Sequence, residues 1–376
     1  MARKQTFEAG MSELEALTER LAEGDMTLDE TIKTYEKGMA LAAQLKQQLA
    51  DCSRRIEQID PDTAEITTLE EKAMDYREQY QRYVAMVEET IEQVLPQTEE
   101  ECPNEMRIPK RLCEAMRYSL LAGGKRIRPV LLLATCEMLG GDIRQARVPA
   151  AALEMIHTYS LIHDDLPGMD NDDYRRGRLT NHKVFGEGFA ILAGDGLLNY
   201  AYECILNNAL AWGGNTPGHI RAAQEIARRA GVSGMVAGQS IDLLSEPREP
   251  NEATLQYIHT HKTADLLTAP LLAAAYIAGA DEKAIFALET FGLCVGLAFQ
   301  IDDDLLDVLG DAKDLGKQTG MDAQRGKMTW PSLVGVEAAQ KKSRELWTRA
   351  EEALSVFGDS AWFLRAFAEA LAKRKK

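Results

Sequence analysis

The sequence predicts an all-α fold, and three observations carry that prediction. Apolar residues recur at steps of three and four through most of the 376 residues, the spacing of one helical face. Capping residues, Gly and Pro punctuate these stretches, as at Thr27-Leu-Asp-Glu30 and Asp60-Pro61. Between them the interiors are rich in Ala, and no clear run alternates apolar and polar residues as a half-buried strand does.

The first predicted elements form a helical hairpin over residues 5–60. Phe7, Met11, Leu14, Leu17 and Leu21 share a face, and Gly24-Asp25 ends that helix. Leu28, Ile32, Tyr35, Met39, Ala42, Leu45, Leu49, Cys52, Ile56 and Ile59 then keep a near-heptad stripe. Two helices of this size hold too small a core to stand alone, so the stripe requires a covering partner or a copy of itself. Phe7-Glu8, Leu14-Glu15, Leu21, Glu23-Gly24-Asp25, Leu28, Tyr35-Glu36, Gly38-Met39 and Leu41 give residues 1–61 a resemblance to the small subunit of exodeoxyribonuclease VII. The resemblance implies a non-catalytic segment that binds the nuclease large subunit through residues 5–60. A simple dimerisation module is the alternative.

Residues 62–71 read as a polar linker, and 72–376 as a second domain. Tyr76, Tyr80, Tyr83, Val84, Val87, Ile91 and Val94 mark its first amphipathic helix, ending at Pro96. Net charge divides unevenly. The whole chain carries −16, but residues 61–105 alone carry −10 and residues 106–376 only −2. The C-terminal part therefore has basic groups to spare for an anionic substrate, although no stretch forms the basic footprint of nucleic-acid binding. Cysteines 52, 102, 113, 136, 204 and 294 show no CxxC or metal spacing and read as reduced thiols, which places the chain in the cytoplasm. Met-Ala-Arg-Lys-Gln-Thr lacks the apolar core of a signal peptide. The most apolar window, Leu266–Ala280, is too short for a bilayer and reads as a buried helix, so no membrane span is expected.

Two aspartate clusters carry the chemistry. An apolar helical run through Leu153, Met155, Ile156, Tyr159, Leu161 and Ile162 leads into Asp164-Asp165, with Asp170, Asp172, Asp173 and the pair Arg175-Arg176 close behind. Pro167-Gly168 breaks the helix, so that Asp164 and Asp170 can turn to one point. Clustered carboxylates beside an apolar helix are costly unless cations neutralise them. Hard oxygen donors in an open arrangement suit Mg²⁺ shared with substrate phosphates, and the arginines suit phosphate oxygens. A second apolar helix, expected to begin near Phe291, ends in Asp302-Asp303-Asp304-Leu-Leu-Asp307. Asp303 and Asp307 lie four apart on one face, a repulsive pair unless a metal bridges it. Gly123-Gly124-Lys125-Arg126-Ile-Arg128 adds glycines beside cations, without the spacing of a nucleotide P-loop.

The landmarks GGKRIRP (123–129), EMIHTYSLIHDDLPGMDNDDYRRG (154–177), ILAGD (191–195), GQSIDL (238–243), Lys262-Thr263, FQIDDDLLD (299–307), Leu315-Gly316-Lys317 and Gly326-Lys327 occur in the order of a known family. Residues 72–376 resemble the trans-isoprenyl diphosphate synthases, most closely bacterial farnesyl diphosphate synthases. That resemblance implies an all-helical bundle with a central substrate cavity, usually dimeric. It also implies head-to-tail condensation of isopentenyl diphosphate with an allylic diphosphate. Asp164, Asp165 and Asp170 on one side, and Asp303, Asp304 and Asp307 on the other, would bind Mg²⁺. Lys262, Thr263, Gln239, Arg175 and Lys317 would take the catalytic roles, with Asp242 in the wider diphosphate network. Lys125, Arg128, His157, Arg176, Gln300 and Lys327 would add substrate contacts.

Tyr159, with Ser160 beside it, would close the chain channel at fifteen carbons. An ordinary core tyrosine is the other reading of Tyr159, and geranylgeranyl diphosphate the other product. A terpene cyclase shares the first aspartate motif but normally lacks a second. A third alternative makes the N-terminal hairpin the working part and the synthase half an inactive scaffold. Asp302 departs from the family pattern and reads as a solvated neighbour. Trp330 departs too and reads as a packing change, with neither residue touching a proposed ligand.

Overall fold

The computed structural model describes residues 75–96, 108–245, 251–309 and 328–374, with a few positions between 13 and 41. The chain divides into two compact units, Met1–Met74 and Asp75–Lys376. In the first, the described positions are helical, Leu14, Leu17 and Leu41 cluster, and Lys37 pairs with Glu13 at 2.7 Å. The remainder of the predicted hairpin and the 62–71 linker lie outside the described residues.

The second unit is a helical bundle. Its helices are α1 (Tyr76–Val94), α2 (Lys110–Leu120), α3 (Ile127–Met138) and α4 (Ile143–Asp164), then α5 (Asn181–Phe185), α6 (Glu187–Ala211), α7 (Thr216–Ala230) and α8 (Met235–Ser245). Next come α9 (Glu252–Ile258), α10 (Asp265–Ala278), α11 (Glu282–Leu309), α12 (Trp330–Val334), α13 (Val336–Ala353) and α14 (Trp362–Ala372). Capping explains the starts. Asp75, Asp142 and Asn251 accept backbone N–H groups at the heads of α1, α4 and α9, and Thr329 with Ser332 forms a full capping box at α12.

Helix α10 is apolar on every side and correspondingly buried, packing on α3, α7 and α11. Helix α4 packs on α3 and α6 along its buried face and ends at Asp164.

One expectation needs correction, and two features go beyond the sequence reading. Helix α11 begins at Glu282, nine residues before Phe291, because its first turns are only partly covered and Phe286 points to solvent. This helix, and not Leu266–Ala280, is long and apolar enough to cross a bilayer by composition. It packs instead against α10 and α13, as a core helix does. Two short strands, β1 (Tyr174–Arg175) and β2 (Arg178–Leu179), pair antiparallel around a turn at Arg176-Gly177. Two residues per strand leave no alternation to detect.

Helix α9 runs into a π-helical turn, His259–Ala264, before α10. Its first residue, His259, is buried, and its Nδ1 accepts the indole N–H of Trp330 at 3.1 Å. Burial lowers its pKa from 6.5 to about 4. The folded chain therefore binds this proton less readily than the unfolded one, and the stabilisation present above pH 6.5 is lost as pH falls toward 4. The full effect is on the order of 3 kcal/mol. Urea unfolding followed by tryptophan fluorescence should show His259→Gln losing less stability than the native chain between pH 7 and 5. Equal losses would refute the assignment.

Candidate active site

A cavity of about 340 Å³ opens where α4, α8 and the π-helical turn converge. Of the residues expected to act, it is lined by Arg128, His157, Tyr159, Ser160, Asp164, Gln239, Lys262 and Thr263. Leu161, Met169, Met235, Val236 and Leu243 give it an apolar wall.

The cationic rim is built by the loop between α2 and α3. Gly123 and Gly124 have φ of 76° and 135°, and Arg126 comes next at 51°, in the left-handed region. Arg126 holds that conformation through its side chain, which donates to Glu88 at 2.9 Å, Glu154 at 2.8 Å and the Leu120 carbonyl at 2.9 Å. The Lys125 carbonyl accepts from Tyr80 Oη at 2.6 Å, while Lys125 itself is exposed. Arg176, on the β turn, donates to the Gly123 carbonyl.

Arg128, in the first turn of α3, has a buried Nε with no partner. Burial pushes its guanidinium down to about 10, against the pull of Glu154. His157 is held neutral by burial and by the surrounding Arg128, Arg176 and Arg175. An unpartnered donor among crowded cations is the environment an incoming anion relieves.

Helix α4 ends at Asp164, and the turn through Pro167-Gly168 folds back so that Asp170 N–H donates to the Asp164 carbonyl at 2.9 Å. Burial raises the Asp164 carboxyl to about 6; Lys262 opposes the shift and Asp170 adds to it. Asp165, expected as a ligand, is placed otherwise. It is 2% exposed, and both its oxygens accept from Arg175 Nε at 2.8 and 2.9 Å. Asp165 and Arg175 thus occupy each other, and neither lines the cavity. The pair braces the loop that carries Asp170 and Arg176.

The π-helical turn presents Lys262 and Thr263. Lys262 Nζ donates to Asp242 Oδ2 on α8 at 2.6 Å, and Thr263 Oγ1 donates to Gln300 Oε1 on α11 at 2.5 Å. Gln239, one turn before Asp242, has a buried Oε1 without a partner. Helix α8 reaches the π turn only because residue 238 is glycine, since a Cβ there would overlap Lys262 N and sit 2.8 Å from the His261 carbonyl carbon. Gly238→Ala should cost about 1–3 kcal/mol of stability in urea unfolding through this overlap. An unchanged midpoint would show that the backbones yield freely.

Gln300 leads one turn along α11 to the second cluster. Asp303 accepts from Arg374 at 2.7 Å, and that guanidinium also donates to the Phe299 carbonyl at 2.8 Å and lies 3.6 Å over the Phe299 ring. Asp304 turns inward, 6% exposed, and accepts the Trp330 backbone N–H at 2.9 Å. Trp330 therefore does touch a residue expected as a ligand, and Asp304 caps α12 instead of facing the cavity. Asp302 is likewise not a solvated neighbour: Ser343 Oγ and Trp347 Nε1 both donate to it, tying α11 to α13. Lys317 and Lys327 lie outside the described residues. Among the described residues no three His, Cys, Asp or Glu side chains gather as a closed metal site. Sequence reading missed Glu154 and gave Arg374 no role. Glu154 was visible as a charge inside an apolar helix, one turn before His157.

The family model described as polyprenyl synthetase matches residues 109–356, and that of the exonuclease VII small subunit matches residues 7–58. Geranylgeranyl pyrophosphate synthase 3, chloroplastic, of Arabidopsis thaliana is 48% identical over 261 residues, 68% of this chain and 71% of its own length. An FPP/GFPP synthase from Zymomonas mobilis superposes with TM-score 0.66 at 35% identity, over 78% of this chain and 99% of that one. A geranyltransferase from Helicobacter pylori, solved with magnesium and isoprenyl diphosphate, gives TM-score 0.64 at 32% identity over 78% and 96%.

Proposed function

Because the chain belongs to the polyprenyl synthetase family and is a prenyltransferase, joined to an exonuclease VII small-subunit segment, we propose that it condenses isopentenyl diphosphate with dimethylallyl and geranyl diphosphates to give farnesyl diphosphate. The reading fits the polarity of the cavity. Arg128 and neutral His157 in the cavity, with the charge of Arg176 acting on His157, offer a seat to one diphosphate, that of isopentenyl diphosphate. Lys262 beside Asp164 serves the other. The apolar wall shields an allylic cation from water. Thr263 and Gln239 line the same cavity, where oxygen dipoles placed in advance would stabilise developing positive charge.

Asp164 and Asp170, with Asp303 and Asp307 on α11, are hard oxygen donors that suit Mg²⁺ shared with phosphate. Burial raises the Asp164 carboxyl, with the Asp170 and Asp165 charges adding to it, and a bound cation would offset that cost. When bound, magnesium would neutralise the departing diphosphate.

One observation carries the fifteen-carbon product: the Tyr159 ring, 7% exposed, lines the cavity five residues before Asp164. Five residues of helix put it about 7.5 Å deeper. Geranylgeranyl diphosphate is the second reading, favoured by the name of the 48% identical relative. Mass spectrometry of products made with Mg²⁺ decides: fifteen carbons from the native chain and twenty or more from Tyr159→Ala are expected. A native twenty-carbon product would favour the second reading.

The boundary between residues 61 and 72, a synthase homodimer, a cytoplasmic location and a nuclease large subunit as partner of residues 5–60 belong to the same proposal. Free, buried Cys113, Cys136, Cys204 and Cys294 are in keeping with a reducing compartment. Co-purification with the large subunit tests the last point.

A further inference from the structure

His163 lines the cavity beside Asp164, yet the proposed chemistry gives it no role. Its ring meets the Tyr159 ring edge to face, with centroids 5.8 Å apart and planes at 79°. Such pairs add packing energy and fix ring orientation beyond simple burial. The other side of the imidazole is seated on α6. There Nε2 lies 3.1 Å from the Ile191 carbonyl oxygen. A carbonyl only accepts, so Nε2 carries the proton and donates.

The seat exists because residue 194 is glycine: a Cβ at that position would overlap Nε2, Cδ2 and Cε1 of His163. Glycine inside a helix costs about 1 kcal/mol relative to alanine. In α6 that cost opens the notch that receives the ring. Tyr159 is thus braced by a side chain that is itself locked to the neighbouring helix.

We propose that His163, seated in the Gly194 notch, is a second specificity-determining residue, fixing the depth at which the Tyr159 ring closes the cavity and so the length of the product. The proposal rests on the reading of Tyr159 as the floor of the channel. Without the imidazole, the tyrosine ring gains room to swing toward α6. With a methyl group at residue 194, the imidazole is pushed off its seat and carries the tyrosine with it.

The test is the product distribution from geranyl and isopentenyl diphosphates, read by mass spectrometry on the full chain. Unfolding midpoints serve as the folding control. His163→Ala and Gly194→Ala should each raise the ratio of twenty- to fifteen-carbon product about tenfold, as changed packing in an apolar pocket does. Combined with Tyr159→Ala, His163→Ala should add less than its separate effect, because both act through one ring. If Tyr159→Ala lengthens the product while His163→Ala and Gly194→Ala leave the ratio unchanged, the inference fails and the role of Tyr159 stands. If Tyr159→Ala also leaves the ratio unchanged, both fall. Lower total activity at an unchanged ratio assigns His163 a purely structural part and likewise overturns the proposal. Should His163→Ala not fold, Gly194→Ala decides alone.

Discussion

Asp164→Asn should lower kcat/KM for dimethylallyl diphosphate by about 10³-fold, the order expected when one preorganised electrostatic partner of a developing charge is lost. The same substitution should leave the protein more stable at pH 7. Burial, joined by the charges of Asp170 and Asp165, holds the Asp164 carboxyl near 6 instead of 3.8. The folded chain therefore favours the protonated form, and ionisation costs stability progressively as pH rises from 3.8 to 6. A neutral amide of the same shape avoids that cost, for a gain of about 1–3 kcal/mol. Steady-state kinetics with urea unfolding reads both effects. A variant that keeps native kcat/KM would remove Asp164 from the chemistry, and a less stable one would mean that its charge is compensated in the folded chain.

Arg126→Met should destabilise the protein by about 3–5 kcal/mol, the loss expected when one member of a buried ion pair is removed. The reason is the partner left behind: the Glu154 side chain is 2% exposed and would lose the guanidinium it pairs with at 2.8 Å. Replacing both, as Arg126→Met with Glu154→Gln, should recover much of the loss, because the cost lies in the uncompensated charge more than in the missing contact. Two single variants whose losses simply add would show that the pair is not coupled. The loop depends on the same group, since Arg126 sits at φ 51° only while its guanidinium is held by Glu88, Glu154 and the Leu120 carbonyl.

The sequence made the helical class and the two acidic helix ends legible, because periodicity and clustered charge are local signals. The break after Asp164 was legible for the same reason, in Pro167-Gly168. What it did not reveal are choices made by distant neighbours. Asp165 and Asp164 are adjacent and identical in type, yet one accepts from Arg175 while the other lines the cavity. Asp303 and Asp304 divide likewise between Arg374 and the Trp330 backbone. Spacing along a helix assigns a face, but the partner waiting on that face comes from elsewhere in the chain. The wide turn at His259–Ala264 had no signature either, because π geometry is stabilised by its surroundings, here Gly238 and the Asp242 and Gln300 side chains.

That wide turn has a consequence for how insertions and deletions are tolerated. It accommodates a surplus residue between α9 and α10, and each added residue of helix rotates the rest of the spiral by about 100°. Excising Thr260 there would restore an uninterrupted spiral, yet would turn Lys262 and Thr263 together by about 100° relative to α9. A shortened chain would thus be the more regular helix, with its ammonium and hydroxyl swung out of register with Asp242 and Gln300.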